Sequence, residues 1–124
     1  MKTFKELRVW QASHELTLRI YAATGAFPSQ EQFGLTSQLR RAVVSVAANI
    51  VEGHHRTSHR GLLNFLTIAV ASLEEVKYLL LLARDLRYLT QQTFEGLASL
   101  GDSVGKMLYQ FRCHVRQEIQ HVVS

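Results

Sequence analysis

Residues 62–83 read Leu62-Leu63-Asn64-Phe65-Leu66-Thr67-Ile68-Ala69-Val70-Ala71-Ser72-Leu73-Glu74-Glu75-Val76-Lys77-Tyr78-Leu79-Leu80-Leu81-Leu82-Ala83. Apolar residues recur at Leu62, Leu66, Ala69, Leu73, Val76, Leu80 and Ala83, in steps of three and four that place them on one stripe of an α-helix. The strict alternation of a half-buried strand is absent. With its flanks, the pattern predicts a helix from about Ser58 to Leu89. A second set, Phe65, Ile68, Leu79, Leu82, Leu86 and Leu89, marks another apolar face. A helix that is apolar around most of its circumference must be buried on several sides.

The same spacing repeats on either side of this stretch. Upstream, Leu39, Val43, Val46 and Ile50 predict a helix over roughly Leu35 to Glu52. Earlier still, Val9, Ala12, Leu16, Ile20 and Ala23 predict one from about Val9 to Ala26. Gly25-Ala26-Phe27-Pro28-Ser29 closes that first helix, because proline lacks an amide donor and drives the residue before it out of helical geometry. Downstream, Leu97, Val104, Leu108, Phe111, Val115 and Val122 predict a fourth helix over about Gln92 to Val122. Short connections make an antiparallel up-and-down four-helix bundle the economical all-α packing. The 124 residues, 47% of them hydrophobic, suffice for one domain, 1–124, with its own core. The second apolar face of the third helix then calls for a partner subunit. The alternative is that the long termini fold back over it.

Composition narrows the function classes. A lone Cys113 rules out an internal disulfide, and the N-terminus lacks the apolar run of a signal peptide, so a cytoplasmic location is expected. No apolar run approaches the roughly 18 residues of a membrane span, since Lys77 and Arg84 flank the leucine cluster. The formal charge of +4 favours an acidic partner such as RNA or DNA, though it also serves solubility.

Chemistry-bearing residues concentrate at Asn49-Ile50-Val51-Glu52-Gly53-His54-His55-Arg56-Thr57-Ser58-His59-Arg60-Gly61. His55 and His59, four apart, would share a helix face with Glu52 if one helix ran through them, as a metal half-site requires. Gly53 instead suits a helix C-terminus, and Thr57 or Ser58 suits an N-cap, so solvated junction histidines are expected and no metal or other cofactor. No serine lies in a Gly-x-Ser-x-Gly elbow, and Glu74-Glu75, adjacent on a helix, point in different directions. A catalytic residue is therefore not assigned.

Gln38, Arg41, Ser45, Asn49, Glu52 and Arg56 form a polar stripe on the second helix. Ala71, Ser72 and Glu75 offer similar small and polar chemistry on the third. Asn49, Glu52, Ser72 and Glu75 are expected in a hydrogen-bonded layer between the two helices, because buried polar groups need partners; the alternative is solvent exposure. Arg40, Arg41, Arg56 and Arg60 are the candidate phosphate contacts. Recognition motifs for base readout are missing, so nucleic-acid binding would be driven by the backbone.

One combination spans nearly the whole chain: Phe4-x-x-Leu7-x-Val9-Trp10-Gln11, Ile20-Tyr21, Phe27-Pro28, Phe33-Gly34-Leu35-x-x-Gln38-Leu39-Arg40-Arg41-Ala42, Asn49-Ile50-Val51-Glu52-Gly53 and Ile68-Ala69-x-x-Ser72-Leu73-x-Glu75. It resembles the four-helix bundle proteins of intervening sequences in bacterial 23S ribosomal RNA genes. More distantly, the fold is similar to the accessory variability determinant proteins of diversity-generating retroelements. Val51 stands where the family commonly has alanine, and Ala71 where glycine is frequent. The resemblance implies a ring-like homo-oligomer, a homopentamer, with no established enzymatic activity. The expected function is thus a non-enzymatic oligomeric bundle binding RNA or DNA through basic surface residues as an accessory factor. The other reading is an oligomeric scaffold for an unidentified protein partner.

Overall fold

The computed structural model describes residues 3–123, with side chains through His121; Val122, expected on the fourth stripe, lies outside the described side chains. Four helices follow one another: α1 (Arg8–Thr24), α2 (Leu35–His55), α3 (His59–Asp85) and α4 (Gln91–Val123). Short 3-10 turns at Phe4–Glu6 and Ser29–Glu31 complete the regular elements of the described residues, which contain no strand. Chain chemistry accounts for the helix ends. Ser58 opens α3 as its N-cap, its hydroxyl accepting the Gly61 amide at 3.0 Å. Thr90 does the same for α4, accepting from the Thr93 amide at 3.1 Å.

Two boundaries differ from expectation by more than two residues. Gly53 does not stop α2, which runs on to His55. The glycine has ordinary helical backbone, and its role is spatial: a Cβ there would lie 3.0 Å from Leu62 Cδ1 and 3.1 Å from Phe65 Cβ. At the other end, α3 stops at Asp85, short of Leu89. Arg87 takes a left-handed φ of 66°, while the Tyr88 amide reaches back to the Ala83 carbonyl and the Arg87 amide to Arg84. This is the Schellman closure, built on an arginine where glycine is usual.

Most of each core stripe falls inside as its spacing predicts, while Ala12, Ala23, Leu62 and Phe111 are half-buried against it. Leu16, Ile20, Leu39, Val43, Val46, Ile50, Leu66, Leu73, Val76, Leu80, Val104 and Leu108 are all buried in one cluster. Each such side chain contributes roughly 1.5–3 kcal/mol through burial. Two polar core residues satisfy themselves locally, Ser13 donating to the Val9 carbonyl and Thr24 to that of Ile20, both at 2.7 Å. The second face of α3 divides. Leu79 is buried and Phe65 and Leu82 half-covered, because α3 packs against both α2 and α4, and Leu89 is buried in the connection beyond the helix end. Ile68 and Leu86 stay exposed, with Tyr78 and Leu81.

Contacts between successive helices run in opposing order. Thr17 reaches Val43 while the later Thr24 meets the earlier Arg40. Ser45 meets Ser72 while Gly53 approaches Leu62, and Leu73 lies beside Gly105 while Lys77 pairs with Asp102.

Candidate nucleic-acid interface

The polar stripe of α2 faces α3 over part of its length. Ser45 and Ser72 share a hydrogen bond of 2.7 Å between the helices, and Asn49 donates to the Ser45 carbonyl at 2.7 Å and to its hydroxyl at 3.0 Å. All three residues are half-buried, so the pairing spares their polar atoms an uncompensated loss of water. Asn49 and Ser72 thus meet through Ser45, a residue of the stripe that was not placed in the layer. Glu52 lies outside these bonds. It sits one turn beyond, exposed, and pairs with Arg56 at 3.7 Å. Glu75 is exposed as well, bordering a shallow hollow with Gln38, Arg41, Ser45 and Ser72. The reason for both corrections is angular: a helix presents only a narrow arc to its neighbour, and steps of three and four drift off that arc.

The four candidate arginines are not brought together. Arg40 braces α2 to α1: Nε donates to the Thr24 hydroxyl at 2.8 Å, Nη2 donates to the Tyr21 carbonyl at 3.1 Å, and the guanidinium covers the Tyr21 ring at 4.6 Å. Arg41 is exposed. Arg56, fifteen residues further and so roughly 22 Å along the helix axis, ends α2 as its C-cap. Its guanidinium lies 4.5 Å from the Phe65 ring centroid, across the junction. Arg60 is exposed in the first turn of α3 beside His59.

The junction gathers three histidines and two arginines. His54 and His55 occupy the last turn of α2, where the helix dipole favours positive charge. They border a cleft with Thr3, Phe4, Val51 and Glu52. Phe4 is held there by an edge-on contact with Trp10 at 5.0 Å, and Trp10 in turn stacks on His14 at 4.9 Å. His55 and His59 fall on different helices. Among the described residues no group of three or more His, Cys, Asp or Glu side chains is placed to hold a metal ion.

Sequence reasoning missed a second area, a groove of mixed charge. Lys77, Lys106 and Arg112 line a groove between α3 and α4 together with Glu74, Asp102 and Tyr109. The spacing Asp102, Lys106, Tyr109 along α4 was its available signal. Among the described residues, no helix is long and apolar enough to cross a membrane.

The family model described as 23S rRNA-intervening sequence protein matches residues 5–110. The chain belongs to that family. The match includes the Asn49-Ile50-Val51-Glu52-Gly53 segment and the Ser45, Asn49 and Ser72 side chains just described. The family member is also similar, over 84% of its length and 94% of the other chain, to a protein of unknown function from the S23 ribosomal protein family of Bacteroides thetaiotaomicron VPI-5482, known from a crystal structure, with 27% identity and a TM-score of 0.77. No curated protein matches it.

Proposed function

We propose that this family member is a non-enzymatic bundle protein whose α2–α3 junction contacts the phosphates of RNA or DNA. One observation carries the reading: His54, His55, Arg56, His59 and Arg60 fall within seven residues at one surface junction, where Glu52 is the carboxylate paired with Arg56. A compact positive turn without base-reading apparatus favours backbone contact. The ribosomal-RNA intervening sequence in the family's description agrees with an RNA-linked role and a cytoplasmic setting. Arg41 adds a contact further along α2. Arg40, engaged with α1, contributes charge more than free donors.

Fluorescence anisotropy with RNA and DNA across a salt series tests this. Replacing Arg56 and Arg60 with glutamine should lower the slope of log affinity against log salt by about 2. Absence of binding even at low salt would refute the reading.

The exposed Ile68, Tyr78 and Leu81 of α3 and Val44 of α2 support self-association as a second property, for which the homopentamer is the proposed form. The opposing order of helix contacts supports an antiparallel up-and-down subunit. Light scattering should return five times the 14.1 kDa chain mass; a monomer at micromolar concentration would remove the assembly. Assembly with indifference to nucleic acid would favour a scaffold for a protein partner.

A further inference from the structure

The groove between α3 and α4 encloses about 590 Å³, within the usual range for small-ligand sites. Its two ends differ electrically. At one, Lys77 lies 3.5 Å from both Glu74 and Asp102 and is neutralised by them. At the other, Arg112 has a buried Nε with no hydrogen-bond partner. Among the described residues, the ion pairs within 4.0 Å include neither Arg112 nor Lys106. The buried Nε is closed to the groove, but among the described residues no hydrogen bond or ion pair engages the rest of the Arg112 guanidinium, which lines the groove and can donate to an anion there.

The middle of the groove is open at Gly105, where the Lys77 ammonium lies beside aliphatic carbon. Gly105 has no side chain to fill it, and a Cβ there would meet only Leu73 Cδ2 and Lys77 Nζ, both at 3.5 Å. Val70 and Leu73 line the α3 side. Tyr109, which is 65% exposed, stands one turn from both Lys106 and Arg112. An exposed phenol ring beside such an opening suits a flat heterocycle. Lys106 and Arg112 are roughly 9 Å apart along the helix axis and about 120° around it, so Arg112, seven residues on from Gly105, shares the face of Gly105 while Lys106 flanks it.

We propose that this groove binds a nucleoside phosphate, with the base against Tyr109 over the opening at Gly105, and the phosphate held by Arg112 with Lys106 flanking it. The same chemistry is offered by a free mononucleotide and by one unit of a single strand. In the second case the groove rests on the nucleic-acid reading above and adds a base-stacking site to its phosphate contacts.

The full chain is titrated with adenosine 5′-monophosphate and with a short single-stranded RNA by calorimetry, with amide NMR shifts followed at Gly105 and Tyr109. A duplex is included for comparison. Tyr109→Ala should weaken binding about 5-fold or more, and Arg112→Gln and Gly105→Leu about 10-fold or more, with circular dichroism confirming that each variant is folded. Exposed Tyr109 provides the variant least dependent on folding. Response to mononucleotide and strand alike assigns the groove to the nucleoside phosphate itself; response to the strand alone assigns it to a unit within a chain. Duplex binding sensitive to Arg56→Gln and Arg60→Gln, with no effect of groove variants on either single-stranded ligand, overturns this inference and leaves the junction reading intact. Loss of assembly mass in Gly105→Leu with nucleotide binding absent gives the groove to a second copy, which also overturns it.

Discussion

The α2–α3 interface and the α3–α4 groove use the same small residues to opposite ends. In the first, Gly53 lets the start of α3 approach so closely that an added Cβ would sit 3.0 Å from Leu62. In the second, Gly105 lies under a space where a Cβ would make ordinary contacts at 3.5 Å. Polar groups differ in parallel. Ser45, Asn49 and Ser72 satisfy one another between α2 and α3, whereas Arg112 is left with a buried, unpaired Nε beside the groove. A glycine in a helix thus marks either a close approach or an opening, and the neighbour it faces decides which.

The contrast can be broken most severely at Leu73, whose side chain is buried yet borders Gly105. Leu73→Ala should cost about 2–5 kcal/mol in denaturant unfolding; a cost below about 1 kcal/mol would mean that the groove, and not the core, is the real environment of this side chain. Next in size is the glycine pair. Gly53→Ala should destabilise by about 1–3 kcal/mol through overpacking, while Gly105→Ala should be neutral or stabilise by up to about 1 kcal/mol, as alanine favours helix. Equal effects in thermal melts would erase the distinction between the two regions.

Smaller is the loss of the inter-helix hydrogen bond. Ser72→Ala should cost about 0.5–1.5 kcal/mol, because Asn49 still donates to Ser45. The same substitution should leave ligand binding in the groove unchanged. The smallest effect is expected at the far end of α3. There the Tyr88 hydroxyl donates to Glu31 at 2.9 Å, while the other Glu31 oxygen accepts the Leu35 amide that opens α2. Hydrogen bonding to Glu31, burial and the Glu31 charge raise the Tyr88 pKa above its ordinary value. The folded state therefore holds the phenolic proton more tightly than the unfolded chain. Stability from this contact is fully present below the ordinary tyrosine pKa, about 10, and falls as pH rises through the raised value. Tyr88→Phe should flatten this alkaline decline in melting temperature, and an unchanged decline would place its origin elsewhere.

Much of this was legible along the chain. Leu66, Ala69, Leu73, Val76, Leu80 and Ala83 are all buried, as steps of three and four require. Ser58 caps α3 as its residue type suggests. The misreadings share a cause. Gly53 was taken as a stop because glycine ends helices through its conformational freedom, whereas here its lack of a Cβ matters. Glu52 was drawn into the polar layer by spacing, although one further turn carries it past the contact arc to Arg56. Arg40 looked like a free cation because Thr24 and Tyr21, which hold it, lie sixteen and nineteen residues away.

Periodicity, capping residues and turn chemistry act over one or two helical turns. The sequence by itself therefore determined the four helices, their core stripes and the family they belong to. Partnerships depend on how far apart two helices pack and in what register, distances set jointly by all the side chains between them. Only the tertiary structure decided that Ser45 joins Ser72, that Gly53 closes one interface while Gly105 opens another, and that the Arg112 Nε is buried with no hydrogen-bond partner among the described residues.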